Sequence, residues 1–170
     1  LFEKEAGYQI GAPVLEVQGL SRVMKFDDIS FTVHAGEILG VAGLVGSGRT
    51  DVARALFGML GIDRGTIRVN GRSVKIKSPR DAMAHGVIYL PEDRQHNALL
   101  MPMAITRNMT LAVLDRIAPR GWLADRAEVA VAQEYVDKLH IVLRELDQPV
   151  RELSGGNQQK VVLSKWLLAQ

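Results

Sequence analysis

Two short segments of this chain hold residue types that can grip an anion. The first is Gly43-Leu44-Val45-Gly46-Ser47-Gly48-Arg49-Thr50, directly after the apolar run Ile38-Leu39-Gly40-Val41-Ala42. Glycines at this spacing let backbone N–H groups wrap closely around phosphate oxygens, because no side chain intrudes. A helix expected from about Arg49 adds the partial positive charge of its N-terminus. Val45 and Ser47 lie between the glycines, and Thr50 offers a hydroxyl to a Mg²⁺ ion. The usual pattern has lysine where this chain has Arg49. Arginine keeps the charge and suits phosphate geometry, but it is bulkier and planar, so γ-phosphate placement and turnover are expected to suffer more than binding. A glycine-rich strand-to-helix turn without a ligand has the same local pattern.

The second segment, Leu153-Ser154-Gly155-Gly156-Asn157-Gln158-Gln159-Lys160, lies roughly a hundred residues further on. Ser154, Gly155 and Gly156 at a helix start combine a hydroxyl, bare glycine N–H groups and a helix terminus. Taken alone, they are also an ordinary N-cap serine followed by loop glycines.

The elements that must position these segments are legible as patterns. Leu15 and Val17 alternate with Glu16 and Gln18, and Ile29, Phe31 and Val33 alternate with Ser30, Thr32 and His34, which predicts two half-buried strands. Ile38 to Ala42 and Val87 to Leu90 are apolar without alternation, as expected of strands covered on both faces. Thr50 to Phe57 reads as a helix. Asn70-Gly71 between Ile67/Val69 and Val74/Ile76 predicts a hairpin. Ser78 and Pro79 predict the start of a short helix. Asp125 and Glu128 have capping-box spacing, and Ala132, Tyr135, Val136 and Leu139 follow the period of an amphipathic helix. A last helix is expected from about Asn157, with Val162, Trp166 and Ala169 on one face.

Composition bounds the partners. The chain has 170 residues, 47% hydrophobic and 24% charged, with a net charge of +2 and no cysteine. It can fold a sizeable core, and it offers no strong electrostatic case for nucleic acid. Disulfides and cysteine metal sites are excluded, and the four histidines have no metal-ligand spacing. No apolar run approaches the ~20 residues that cross a bilayer. Leu1 to Glu5 lacks a signal-peptide plan and an initiator Met, so the chain is expected to be part of something longer. Met101, Met103, Trp122 and Trp166 are read as packing residues.

In combination, Gly36 to Leu44, Gly46 to Thr50, Pro91-Glu92-Asp93-Arg94 and Leu153 to Lys160 resemble the ATPase domains of ABC transporters, most closely the second ATPase half of bacterial monosaccharide importers. The resemblance spans nearly the whole chain. It implies an α/β fold with a P-loop NTPase core, an antiparallel β-subdomain and a helical subdomain, incomplete at the C-terminus. Residues 1–13 would be a linker from a preceding ATPase half, 14–98 the nucleotide-binding core with its β-subdomain, and 99–170 the helical subdomain. The Mg²⁺-binding aspartate and general-base glutamate of the family are expected beyond Gln170, so no catalytic base is assigned here. Little hydrolysis is expected of the isolated chain, with an apolar sheet edge left open beside Ile38 to Ala42.

The resemblance further implies ATP and Mg²⁺ as ligands. Each ATP would lie between Gly43–Thr50 of one domain and the Ser154–Gly156 segment of its mate. Glu92 falls where typical members have a glutamine that senses Mg²⁺ and water, Asn157 replaces a common glutamine, and Leu20 to Lys25 lacks the family's adenine-stacking aromatic, with Phe26 a poor positional match. These departures suggest a weaker site at Arg49 and a stronger one completed by Ser154-Gly155-Gly156. The implied partners are a second ATPase half, transmembrane permease subunits and, indirectly, a periplasmic sugar-binding protein, at the cytoplasmic face of the bacterial inner membrane, with no nucleic acid. Two other readings stay open at this level: a non-hydrolytic half that only completes its partner's site, and a different phosphate-loop enzyme such as a GTPase or small-molecule kinase. The second segment opposes the latter, and nothing here shows the long heptads of DNA-associated relatives.

Overall fold

The computed structural model describes residues 10–118 and 125–169. Leu1 to Gln9, which form most of the expected linker, lie outside the described residues, as do Trp122 and Gln170. The chain divides into two compact units, one ending at Tyr89 and the other beginning at Leu90.

The first unit is built on four antiparallel strands in the order β2-β1-β3-β4: β1 Pro13–Arg22, β2 Phe26–His34, β3 Arg64–Val69 and β4 Arg72–Val74. The expected alternation is what sets the register. Val17 sits opposite Phe31 on one side and Ile67 on the other, and Leu15 opposite Val69. Val17, Leu20, Ile67 and Val69 are buried, while Glu16 and Gln18 sit at the surface side of the pleat. The β3–β4 hairpin turns at Asn70 (φ 49°) and Gly71 (φ 74°), the pair of positive angles that a two-residue primed turn demands. Helix α1, Arg49–Leu56, buries Ala55. Just past it, the Phe57 ring lies 5.9 Å from that of Tyr89. Helix α2, Pro79–Ala84, begins as expected: the Ser78 hydroxyl accepts from the Asp81 N–H at 3.2 Å.

Two expectations fail here. Ile38 to Ala42 forms no strand, and Val87 to Leu90 forms none either. Ile38 is 96% exposed and Val41 62%. The physical reason is that a strand is a property of pairing. An apolar run is held extended only if neighbours hydrogen-bond to its edges and cover its faces, and β1 to β4 pair among themselves instead. The expected open apolar surface is present, but as a strandless segment and not as a sheet edge.

The second unit is helical. It comprises α3 Arg94–Asn97, α4 Ile105–Thr110, α5 Leu114–Ile117, α6 Asp125–Lys138 and α7 Gly155–Leu168, with short 3-10 turns at Leu111–Val113 and Val150–Glu152. Ile105, Met109, Val113, Ala132, Val136, Val150, Val161 and Val162 form its core. Trp166 and Met101 pack partly buried against it. The amphipathic face of α6 is the expected one, but Glu128 does not act as half of a capping box. Its carboxylate is 1% exposed and accepts from the Thr110 hydroxyl at 2.5 Å and from the Arg107 guanidinium, which also binds Asp125. A buried carboxylate is far costlier without partners than an uncapped helix end, so the inward bonds win. Asn108, also buried, exchanges hydrogen bonds with both backbone groups of Leu100 and so pins the segment before α4. Removing the fully buried Met109 side chain as Met109→Ala should cost about 2–5 kcal/mol, read as a shift in urea midpoint with an unchanged slope.

Candidate functional site

The glycine loop lies in the first unit and leads straight into α1. Gly46 (φ 85°) and Gly48 (φ 84°) both adopt the left-handed region that side chains disfavour. At Gly43 the constraint is space, since a Cβ there would sit 2.7 Å from the Ser47 hydroxyl. The Ser47 N–H closes a turn on the Leu44 carbonyl at 3.1 Å. Gly48 stands at the N-cap position of α1, and no side chain caps the helix, so its first N–H groups keep their hydrogen-bonding capacity. The one acid of that first turn, Asp51, is paired with Lys25 at 3.3 Å and lies 3.9 Å from Arg54, which reduces its repulsion of an incoming anion. Leu44, Val45, Ser47 and Arg49 are exposed and Thr50 partly so, which leaves the loop open to solvent.

The turn joining β1 and β2 abuts this loop, because the Lys25 carbonyl faces Gly48. A cleft of about 320 Å³ opens there between Val23, Met24 and Arg64. Phe26 is only 8% exposed and its ring is committed to the core. The exposed apolar side chains at this place are Val23 and Met24.

In the second unit, Glu92 is exposed on the Pro91–Asp93 segment that leads into α3. Asp93 caps α3 through its bond from the His96 N–H at 3.1 Å, and this bond, with a second from the His96 ring, holds its carboxyl below the usual range. Ser154, Gly155 and Gly156 are all exposed at the start of α7. Ser154 occupies the N-cap position without capping the helix. Instead its hydroxyl receives a bond from the Asn157 amide at 3.0 Å.

Three contacts that the sequence did not announce tie α7 to the segment around Glu92. Arg94 donates to the Gln159 amide oxygen at 3.3 Å, Gln95 donates to Gln158 at 3.2 Å, and Lys165 donates to the Ala98 carbonyl at 2.6 Å. Burial pushes the Lys165 ammonium below its ordinary range. The Arg94 guanidinium also lies over Gly155, where a Cβ would meet it at 2.7 Å. The bare Gly155 therefore makes room for Arg94. Partners more than sixty residues apart leave no periodic trace, which is why these contacts were invisible. The structure thus gathers Gly43–Thr50 in one unit, and Glu92 with Ser154–Gly156 in the other. Among the described residues no helix is long and apolar enough to cross a membrane, and no cluster of His, Asp and Glu is arranged to hold a metal.

Residues 26–170 match the family model described as ABC transporter. The chain belongs to the ABC transporter family. Relatives of this ABC chain include a Burkholderia lata protein named as a candidate ribose/galactose/methyl galactoside import ATP-binding protein. It is 52% identical over 155 residues, which cover 91% of this chain and 30% of that protein. The ribose import ATP-binding protein RbsA of Geobacillus kaustophilus is 45% identical over 158 residues, covering 93% of this chain and 32% of its own length. The chain thus spans about a third of the length of the curated relatives it matches. Among solved structures, an ATP-binding cassette of an ABC transporter in its ADP conformation aligns with TM-score 0.70 at 19% identity, covering 92% of this chain and 65% of the other. A Clostridium perfringens protein that is part of an ABC transporter complex aligns with TM-score 0.69 at 14% identity, over 93% and 62%. At these identities the likeness bears on the fold, and the fold is that of the ABC cassette.

Proposed function

We propose that this chain supplies the ATP-binding machinery of an ABC importer for a monosaccharide. The observation that carries the reading is the open loop at Gly46 and Gly48 that ends on an uncapped helix start, within a chain of this family. The loop suits a triphosphate: Gly46 and Gly48 hold left-handed backbone, a Cβ at Gly43 or Gly48 would collide with Ser47 or the Lys25 carbonyl, and the acid of the first turn of α1 is already paired. Gly43, Val45, Gly46 and Gly48 present backbone N–H groups to phosphate oxygens, and Ser47, whose N–H is turned onto Leu44, adds its hydroxyl. Arg49 adds a fixed positive charge, and the Thr50 hydroxyl would hold Mg²⁺. Glu92, by the family resemblance, takes the place of the glutamine that senses Mg²⁺ and water in typical members. Ser154, Gly155 and Gly156 offer a hydroxyl, two N–H groups and the positive end of a 14-residue helix to the nucleotide of a second ATPase half.

Residues 1–13 serve in this reading as a linker from a preceding half, 14–98 as the nucleotide-binding core and 99–170 as the helical subdomain. Mg²⁺, when bound at Thr50, would supply charge neutralisation at the phosphates. Closure of the two halves passes to permease subunits, fed by a periplasmic sugar-binding protein, so the protein works at the cytoplasmic face of the inner membrane. The support for sugar as cargo is the ribose and galactose import named for the relatives.

Isothermal titration of the full-length protein with ATP is the test. Binding in the micromolar range, about −8 kcal/mol, that ATP competes for better than GTP is the expected result. No adenine-nucleotide binding with or without Mg²⁺ would overturn the reading.

A further inference from the structure

Asn157 lies one turn into α7, and its carboxamide bridges two places. The Val142 backbone N–H donates to its Oδ1 at 3.0 Å, and its Nδ2 lies 3.0 Å from the Ser154 Oγ. The orientation of the amide follows without any view of hydrogens. A backbone N–H can only donate, so the carboxamide oxygen must face Val142 and the NH₂ must face Ser154. An amide nitrogen cannot accept, so the Ser154 hydroxyl takes the bond on a lone pair and cannot return its own proton to Asn157. That proton does not cap α7 either, whose free groups at this end are themselves donors. The Ser154 O–H is thus held as a donor facing outward at an exposed helix start. The Val142 side of the bridge is itself braced, since Lys160 donates to the adjoining His140 carbonyl at 2.7 Å.

We infer that Asn157 is a positioning residue that fixes the Ser154 hydroxyl as a proton donor toward a phosphate oxygen. The inference rests on the reading of Ser154 as a nucleotide contact. It adds a role that Ser154-Gly155-Gly156 alone does not contain, and it explains a chemical requirement at position 157: one acceptor for Val142 and one donor for Ser154. Aspartate meets the first and reverses the second. Asn157→Asp keeps an acceptor for the Val142 N–H, but it draws the serine proton inward to the new carboxylate. If Asn157 only braced the Val142 turn, Asn157→Asp would be silent.

The test uses the assembled transporter carrying Asn157→Asp, Ser154→Ala and the two together. It reads affinity for a non-hydrolysable ATP analogue, the kcat of ATP hydrolysis and the thermal midpoint. Asn157→Asp should weaken analogue binding and lower kcat roughly 10- to 100-fold, the range of one hydrogen bond to a charged group, with the midpoint unmoved. In the Ser154→Ala background the same change should cost less than about twofold, because the hydroxyl it acts through is gone. Asn157→Asp behaving as wild type overturns the inference. So does an equal loss with and without the hydroxyl, which would mark simple charge repulsion. If Ser154→Ala itself leaves analogue affinity unchanged, the nucleotide reading of this segment fails first and the positioning role falls with it. Should Asn157→Asp not assemble, Asn157→Ala through the same cycle decides: non-additivity of about fivefold or more supports the role, and additivity overturns it.

Discussion

Replacing Ser154 by arginine should reduce ATP turnover by the assembled transporter by at least about 100-fold, while Arg49→Ala should cost only about tenfold. The first figure is the scale on which one preorganised donor to a developing anion acts. Ser154→Arg removes that donor and places a long cation in front of Gly155 and Gly156, whose exposure leaves the approach otherwise clear. The new guanidinium would also stand beside that of Arg94, which already lies over Gly155. Arg49→Ala removes a charge but leaves the cradle intact, since Gly46, Gly48 and the uncapped start of α1 are set by backbone geometry. The asymmetry follows from the arginine itself. A planar guanidinium at the start of α1 replaces the compact ammonium that a phosphate loop usually carries, so the part of turnover at stake there is expected to be small already. Steady-state ATPase rates of the two variants check this. Equal losses would sink the division into a weaker and a stronger site.

The two segments differ in how far the sequence could place them. The glycine loop was legible because its constraint is local: Gly46 and Gly48 need left-handed backbone, and the helix begins within three residues of them. The Asn70-Gly71 hairpin and the Ser78 cap were legible for the same reason. Ile38 to Ala42 was not, because apolar composition states that a run wants cover without stating which strands will pair with it. Glu128 was misread for a related reason. Its spacing from Asp125 fits a cap, but the decision lay with Arg107 and Thr110, eighteen or more residues away. Lys165 gave no signal, and Arg94 and Asn157 stood out only as members of motifs, without the contacts they make. Each matters through partners that folding brings to it: Ala98 for Lys165, Gln159 for Arg94, and Val142 with Ser154 for Asn157. Motifs therefore name the groups that touch a ligand, while the groups that aim them emerge only from the folded chain.

Gly46 and Gly48 share nearly the same backbone angle, and alanine at each should separate strain from collision. At Gly46 (φ 85°) nothing lies within 4 Å of an added Cβ. The cost of Gly46→Ala is then the left-handed conformation alone, about 1–2 kcal/mol, or roughly 5- to 30-fold in nucleotide affinity if the loop shifts to relieve it. At Gly48 (φ 84°) an added Cβ would stand 2.6 Å from the Lys25 carbonyl oxygen and 3.8 Å from Phe26. That oxygen is backbone and cannot swing aside. Lys25 is held by its N–H bond to the Arg22 carbonyl at 3.0 Å, neighbouring Val23 by a bond to Asp63 at 2.8 Å, and Phe26 by burial at the start of β2. Relief must come from the loop, which would carry the first N–H groups of α1 with it. Gly48→Ala should therefore lose more than about 100-fold in affinity for an ATP analogue and destabilise the first unit by roughly 2–4 kcal/mol, strain and overlap together. Analogue titration and urea unfolding of both variants in the full-length protein measure the difference. If the two alanines cost the same, the contact with Lys25 does not shape the cradle, and the loop owes its form to backbone preference alone.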